Sequence, residues 1–420
     1  MLACRGLGRL STTAHNLAGS AILALALTAT PGLASAQDTR AAVLEQQRAE
    51  KAKQLEPYTP NRLEKLLLVV DAENPIARIA PHNGFFVEYG YSHKPVGSGV
   101  GFGGGYRHDL FDRRARVELE AGISFSKYQL LRADFSLPYL ADDRFEVGIE
   151  ATYHHHPKED FYGLGSESRE DDRVSYLFDN RRIEGRAVVR PRDGLEFGTR
   201  LGLMNPSVGA GRDKNYPSLE LVFDDAGAPG LVAQPDFTYT DLYGAVDYRD
   251  QPGNARTGGY YTVTWRRMSD SDADRYGFGT VDARIQQFFP IFDKKRVFAV
   301  QARVITTHPR DGQQVPFYLK PTIGGSHSVR SLSDYRFRDD NVMFFNVEYR
   351  WEAFGILDMA LFTDWGTVAS RPGDLDFGDL KRGYGIGFRF NTPKAVFFRV
   401  DIATGGGEGV KFLTKFSKMF

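Results

Sequence analysis

The chain has 420 residues, 53 Lys and Arg against 53 Asp and Glu, and 42% apolar residues. A formal charge of zero excludes an electrostatic nucleic-acid binder, which needs a basic excess, and 31 Phe with 20 Tyr exclude a disordered chain. The single cysteine, Cys4, excludes a disulfide framework and any Cys-ligated metal centre.

In chain order, Arg5 and Arg9 precede an apolar run from Leu17 to Leu27, then Pro31-Gly32 and the small-x-small triplet Ala34-Ser35-Ala36. This reads as a cleaved export signal over residues 1–36, too short in its apolar part to span a bilayer. Its removal leaves 51 cationic side chains against 53 acidic ones and takes away the only thiol. Residues 37–83 read as a periplasmic helical lead, with a polar helix over 38–56 and a second piece over Asn61–Val70 that Pro75 and Pro81 stop.

From Gly84 onward the period changes to two. Met343, Phe345, Val347, Tyr349 and Trp351 alternate with Asn346, Glu348, Arg350 and Glu352; Leu357, Met359, Leu361 and Trp365 alternate with Asp358, Phe362 and Asp364. Sixteen strands are expected, beginning near 84, 97, 115, 127, 143, 173, 194, 237, 258, 276, 296, 342, 357, 383, 395 and 410. Short turns at Arg190–Asp193, Gln251–Ala255, Pro290–Lys294 and Asn391–Lys394 alternate with longer loops around 155–172, 205–236, 307–341 and 366–382. An even strand number with turns on one side and loops on the other predicts an all-β fold, a 16-stranded antiparallel transmembrane β-barrel over 84–420.

One loop resembles a known family. Gly324-Gly325-Ser326-His327-Ser328-Val329-Arg330-Ser331-Leu332 is similar to the sixth extracellular loop of the BamA/TamA-type assembly and translocation barrels, the bacterial surface antigens, with Ser331 and Leu332 where the family carries Gly and an aromatic residue. Asp247-Tyr248-Arg249-Asp250, Val347-Glu348-Tyr349-Arg350, Phe362-Thr363-Asp364-Trp365-Gly366 and Phe161-Tyr162-Gly163-Leu164-Gly165 resemble flanking family patterns in the right order. The likeness is specific over about 240–420 and architectural over 84–239. It implies that Arg330 folds back into the lumen to pair with Glu348 and Asp364, and that Gly385 and Gly387 leave room for the loop tip. It also implies an outer-membrane protein that assists insertion, assembly or translocation of another polypeptide or lipid. The 47 residues of 37–83 are too few for a POTRA domain, so the lead is expected to plug the lumen, cover its periplasmic mouth or dock a separate POTRA protein.

Other signals are weaker. His154-His155-His156 with Asp160 reads as a loop and not as a metal site, because adjacent strand residues point to opposite faces. The glycines from Gly97 to Gly105 lack a Walker lysine and read as strand residues. No Ser/His/Asp constellation or acid–base carboxylate pair appears, so neither an enzyme nor a cofactor is expected. Phe420 closes an amphipathic last strand and reads as the sorting signal for the barrel-assembly machinery. The expected surroundings are outer-membrane lipids including lipopolysaccharide. A passive pore, or a surface antigen or adhesin without an assembly role, is the alternative.

Overall fold

Hydrocarbon offers backbone groups no hydrogen-bond partner, so period-two segments can cross a bilayer only by pairing with one another. The computed structural model describes Gln46 and residues 83–89, 101–391 and 396–416. The expected signal segment, nearly all of the helical lead, and Phe420 lie outside these residues. The strands are β1 Gly84–Tyr89, β2 Gly101–Leu110, β3 Ala115–Ser124, β4 Gln129–Leu140, β5 Phe145–Phe161, β6 Val174–Arg192, β7 Leu195–Ala210, β8 Phe237–Asp247 and β9 Gly258–Asp270. They continue with β10 Phe278–Ile291, β11 Arg296–Pro309, β12 Thr322–Ile323, β13 Phe337–Arg338, β14 Asn341–Phe354, β15 Leu357–Ala369, β16 Lys381–Asn391, β17 Val396–Thr404 and β18 Lys411–Phe416. All but β12 and β13 form one 16-stranded antiparallel sheet whose neighbours follow chain order, while β12 and β13 pair with each other inside the loop between β11 and β14.

The faces of this sheet settle its solvent. Leu119, Leu131, Ile149, Ile183, Leu201 and Trp265 are exposed, whereas Glu118, Glu120, Asp134, Glu184, Asp241, Glu348 and Asp364 are buried. A water-soluble sandwich buries its apolar face; here the apolar face points outward and the charged one inward, as in an outer-membrane barrel. Period two alone fits either arrangement, and the burial pattern decides between them.

Strand lengths differ in places from the sequence-based expectation. β5 runs through His154–His156 to Phe161 and β7 runs to Ala210, so the loops expected at 155–172 and 205–236 are shorter. The ladder continues because cross-strand partners are available: His155 stands opposite Asp179, with Nδ1 2.6 Å from its carboxylate. On the turn side, β6 reaches Arg192 and β10 reaches Ile291, which contracts the turns expected at Arg190–Asp193 and Pro290–Lys294. Three short turns share one geometry, with left-handed backbone at Phe111-Asp112-Arg113, Ala141-Asp142-Asp143 and Phe292-Asp293-Lys294. Each has Asp in the middle, whose short polar side chain tolerates this region better than most.

The interior apolar material sits largely at the loop end. Phe161, Val174, Tyr176, Leu219, Phe317 and Tyr318 form one cluster there. Ile323, Val329, Leu332, Phe337, Val342, Phe344 and Val368 form another, which joins the 310–340 loop to β14 and β15.

Candidate functional site

The loop tip is built by glycine geometry and a hydroxyl clamp. Gly324 and Gly325 have φ of 125° and 73°, and a Cβ on Gly324 would lie 2.1 Å from the Ser333 carbonyl oxygen. Only glycine fits such a position. Ser328 Oγ accepts from the Gly324 N–H at 2.8 Å, and the Gly325 N–H donates to the Leu332 carbonyl at 3.1 Å. This turn presents Val329 and Arg330 to β14 and β15. Val329 is fully buried and seats on Gly366, where any Cβ would approach its Cγ2 to 3.0 Å.

Arg330 is 3% exposed and makes a bidentate pair with Asp364, Nε to Oδ2 at 2.8 Å and Nη2 to Oδ1 at 2.7 Å. Its backbone N–H donates to the same Oδ2 at 3.0 Å, and Nη1 donates to Glu348 Oε1 at 2.6 Å. The guanidinium lies 3.4 Å over the Phe362 ring, adding a cation–π contact on its flat face. Planarity and five fixed donors allow one side chain to meet two carboxylates and a ring; a lysine cannot.

The sequence reading named Arg330, Glu348 and Asp364, and the structure brings these three together. It also adds partners that reading missed. Glu348 accepts from Arg350 Nε at 2.7 Å and from Arg389 Nη2 at 2.7 and 2.8 Å. Asp401 lies 3.6 Å from Arg330 and 2.7 Å from Arg399 Nε. Asn346 bridges the loop to the wall, donating to the Ser328 carbonyl at 2.6 Å and to Asp364 at 2.8 Å. The available signal was parity: each of these wall residues falls on the polar face of its strand. Parity cannot say which of them turn toward the same point.

The lumen-face glycines have different neighbours. A Cβ at Gly385 would meet Phe362 at 2.5 Å, and one at Gly387 would meet Asp401 at 2.4 Å. The tip sits against Gly383 and Gly406, whose added Cβ atoms would lie 2.4 and 2.8 Å from Ser331 Oγ. Gly385 therefore makes room for the ring on which Arg330 rests, one step removed from the tip. Ser331 and Leu332, at the family's Gly-aromatic positions, are both buried, and Ser331 Oγ donates to the Arg382 carbonyl at 3.1 Å.

Beyond the tip, Ser333 N–H and Oγ both donate to Glu408 at 2.7 Å, and Arg336 reaches Ser168 O at 2.8 Å. The Ser333 and Lys411 hydrogen bonds outweigh burial and hold the Glu408 carboxyl below its ordinary value. No such donor reaches Asp334 among the described residues: burial first, then the Asp160 and Glu159 carboxylates, push its carboxyl up to about 7. The histidines of β5 pair locally, His156 with Glu159 at 3.0 Å, and no metal-ligating group occurs among the described residues.

An inward-charged sixteen-stranded sheet with an arginine-tipped loop against its wall defines the class, an outer-membrane-type β-barrel. The Omp85 superfamily domain matches residues 110–408, and the chain belongs to that superfamily. Among solved structures, BamA from Haemophilus ducreyi lacking POTRA domains 1–3 superposes with a TM-score of 0.60 at 14% identity, over 79% of this chain and 70% of that one. CdiB from Acinetobacter baumannii and CdiB from Escherichia coli align at TM-scores of 0.46 and 0.47 and identities of 14% and 13%. Each covers 76% of this chain, which spans 55% and 58% of theirs. No curated protein sequence matches significantly.

Proposed function

We infer that this barrel assists the insertion or translocation of a polypeptide, or of lipid, at the outer membrane, with the 310–340 loop folded into its lumen as a fixed internal element. The observation that carries this reading is the buried Arg330 bound at once to Asp364 and Glu348. A passive pore has no need of a loop tip held by a desolvated ion-pair network, whose burial is costly unless every group is partnered. The mechanism proposed is strand capture at the edge of the sheet. β1 and β18 stand first and last in the order of the 16-stranded sheet. Edge strands present backbone groups with which a client strand can pair. The loop network, gripping β14 to β17 beside that edge, would keep the neighbouring wall in register while the edge exchanges partners. A client polypeptide, lipopolysaccharide-containing lipid around the wall, and a separate POTRA-bearing periplasmic protein are the partners in this scheme.

The test is a quantitative outer-membrane proteome with lipid analysis after depletion of the protein. Selective loss of one or a few barrels, secreted proteins or lipids is expected and names the client. An unchanged inventory would reassign the protein to the pore or surface-antigen class.

A further inference from the structure

Below the loop tip, toward the turn side, lies a cavity of about 490 Å³ between β10, β11, β14, β17 and β18. Ligand pockets commonly measure roughly 300–1,000 Å³. Arg284, Arg303, Arg350, Arg399 and Lys415 line it, together with His327 from the loop.

Charge within it does not balance among the described residues. Arg303 holds Asp282 at 2.6 Å, Arg399 holds Asp401 at 2.7 Å, and Arg350 holds Glu348 at 2.7 Å. Arg284 and Lys415 have no carboxylate within ion-pair distance among the described residues, and Arg284 Nε is buried without a hydrogen-bond partner.. Arg284 also stands directly opposite Arg303 in the β10–β11 ladder. Like charges facing across a ladder are destabilising, and an unpartnered buried donor adds to the cost. Counting Arg330 and Arg389 with these five gives seven cations against the four carboxylates Asp282, Glu348, Asp364 and Asp401. Among the described residues the surplus is three positive charges. His327 senses the same field: burial, then Lys415, Arg399, Arg284 and Arg303 in that order, hold its imidazole down to about 4, so it stays neutral.

We propose that this cavity binds a phosphate-bearing anion of two or three negative charges, with Arg284 and Lys415 as its principal ligands. A tetrahedral multivalent anion suits donors that converge from several strands, and guanidinium and ammonium groups are its ordinary partners. The phosphate is either free or carried on a lipid headgroup. The proposal is independent of the assembly role, since binding is read on the purified chain whatever depletion shows.

The experiment titrates the full chain, in delipidated detergent micelles, with inorganic pyrophosphate by calorimetry at low and at physiological salt. Saturable one-to-one binding is expected, weakened at least tenfold in R284Q/K415Q and unchanged in R371Q, an exposed loop control. Native mass spectrometry of gently extracted protein separates the sources. A phosphate-bearing lipid mass present in the unaltered chain and lost in R284Q/K415Q identifies a headgroup; pyrophosphate binding without such a mass identifies a free anion. Heat-modifiable gel mobility verifies that the double variant is folded. Absence of both pyrophosphate binding and a retained lipid, or equal affinity in the folded double variant, would overturn the proposal.

Discussion

Two walls of the same barrel treat charge differently. On the β2–β6 side, inward arginines and carboxylates pair strand to strand, Arg107 with Glu118 at 2.6 Å, Arg132 with Glu150 at 2.7 Å and Arg190 with Glu146 at 2.9 Å, and their guanidiniums remain roughly one-fifth to one-third exposed. On the β14–β17 side a loop covers the wall, and Arg330, Arg389, Asp364 and Asp401 are almost fully buried. The residue types and the alternation are alike. Water separates them: a wet pair contributes about 0–1 kcal/mol, while removing one member of a dry pair costs about 3–5 kcal/mol because its partner is left charged and unmet.

That contrast is tested most severely at the loop. Arg330→Ala, or Asp364→Ala, should destabilise the loop-covered wall by about 3–5 kcal/mol, exposing the 310–340 loop to protease while the barrel still inserts and failing to restore the outer-membrane inventory of the depleted cells. Unchanged cleavage and activity would show that the two walls are equivalent after all. Next in size is Gly383→Ala, which drives a methyl into Ser331 and should cost about 1–3 kcal/mol, read as a lower urea midpoint and a faster loop cut.

pH sharpens the comparison within the loop. Because the folded-state pKa of Asp334 is raised to about 7 from 3.8, the folded loop holds a proton there that the unfolded chain has released. The associated stabilisation is complete below 3.8 and is lost as pH rises through about 7. Limited proteolysis should therefore be faster at pH 8 than at pH 5.5, and Asp334→Asn should flatten that difference. The smallest effect belongs to the wet wall: Arg190→Ala should change the unfolding free energy by only about 0–1 kcal/mol, and less at high salt. A loss comparable to that of Arg330→Ala would refute the difference between the wet and the dry wall.

Much of the fold was legible because a strand's period is local. Strand starts read at 84, 115, 237, 258, 296 and 357 coincide with the β1, β3, β8, β9, β11 and β15 starts, and the others that fall among the described residues lie within a few positions. Strand ends were less legible. Polar segments such as His154–Phe161 carry no apolar alternation, and their pairing depends on the opposite strand. The three core members of the loop site were reached through a family-like motif, whereas Arg389, Asn346 and Asp401 were not, since nothing in a strand's own sequence says what a separate loop will cover.

The sequence by itself determined the period-two pattern, the strand count, the segregation of turns from loops and the identity of the arginine loop. These follow from backbone geometry acting over a few residues. Tertiary structure alone decided how far the strands extend into the loops, that the loop tip sits against Gly383, and that Arg284 and Lys415 share a cavity with too few carboxylates among the described residues. Each of these is set by which distant strands stand together, and burial, charge balance and close approach exist only once they do.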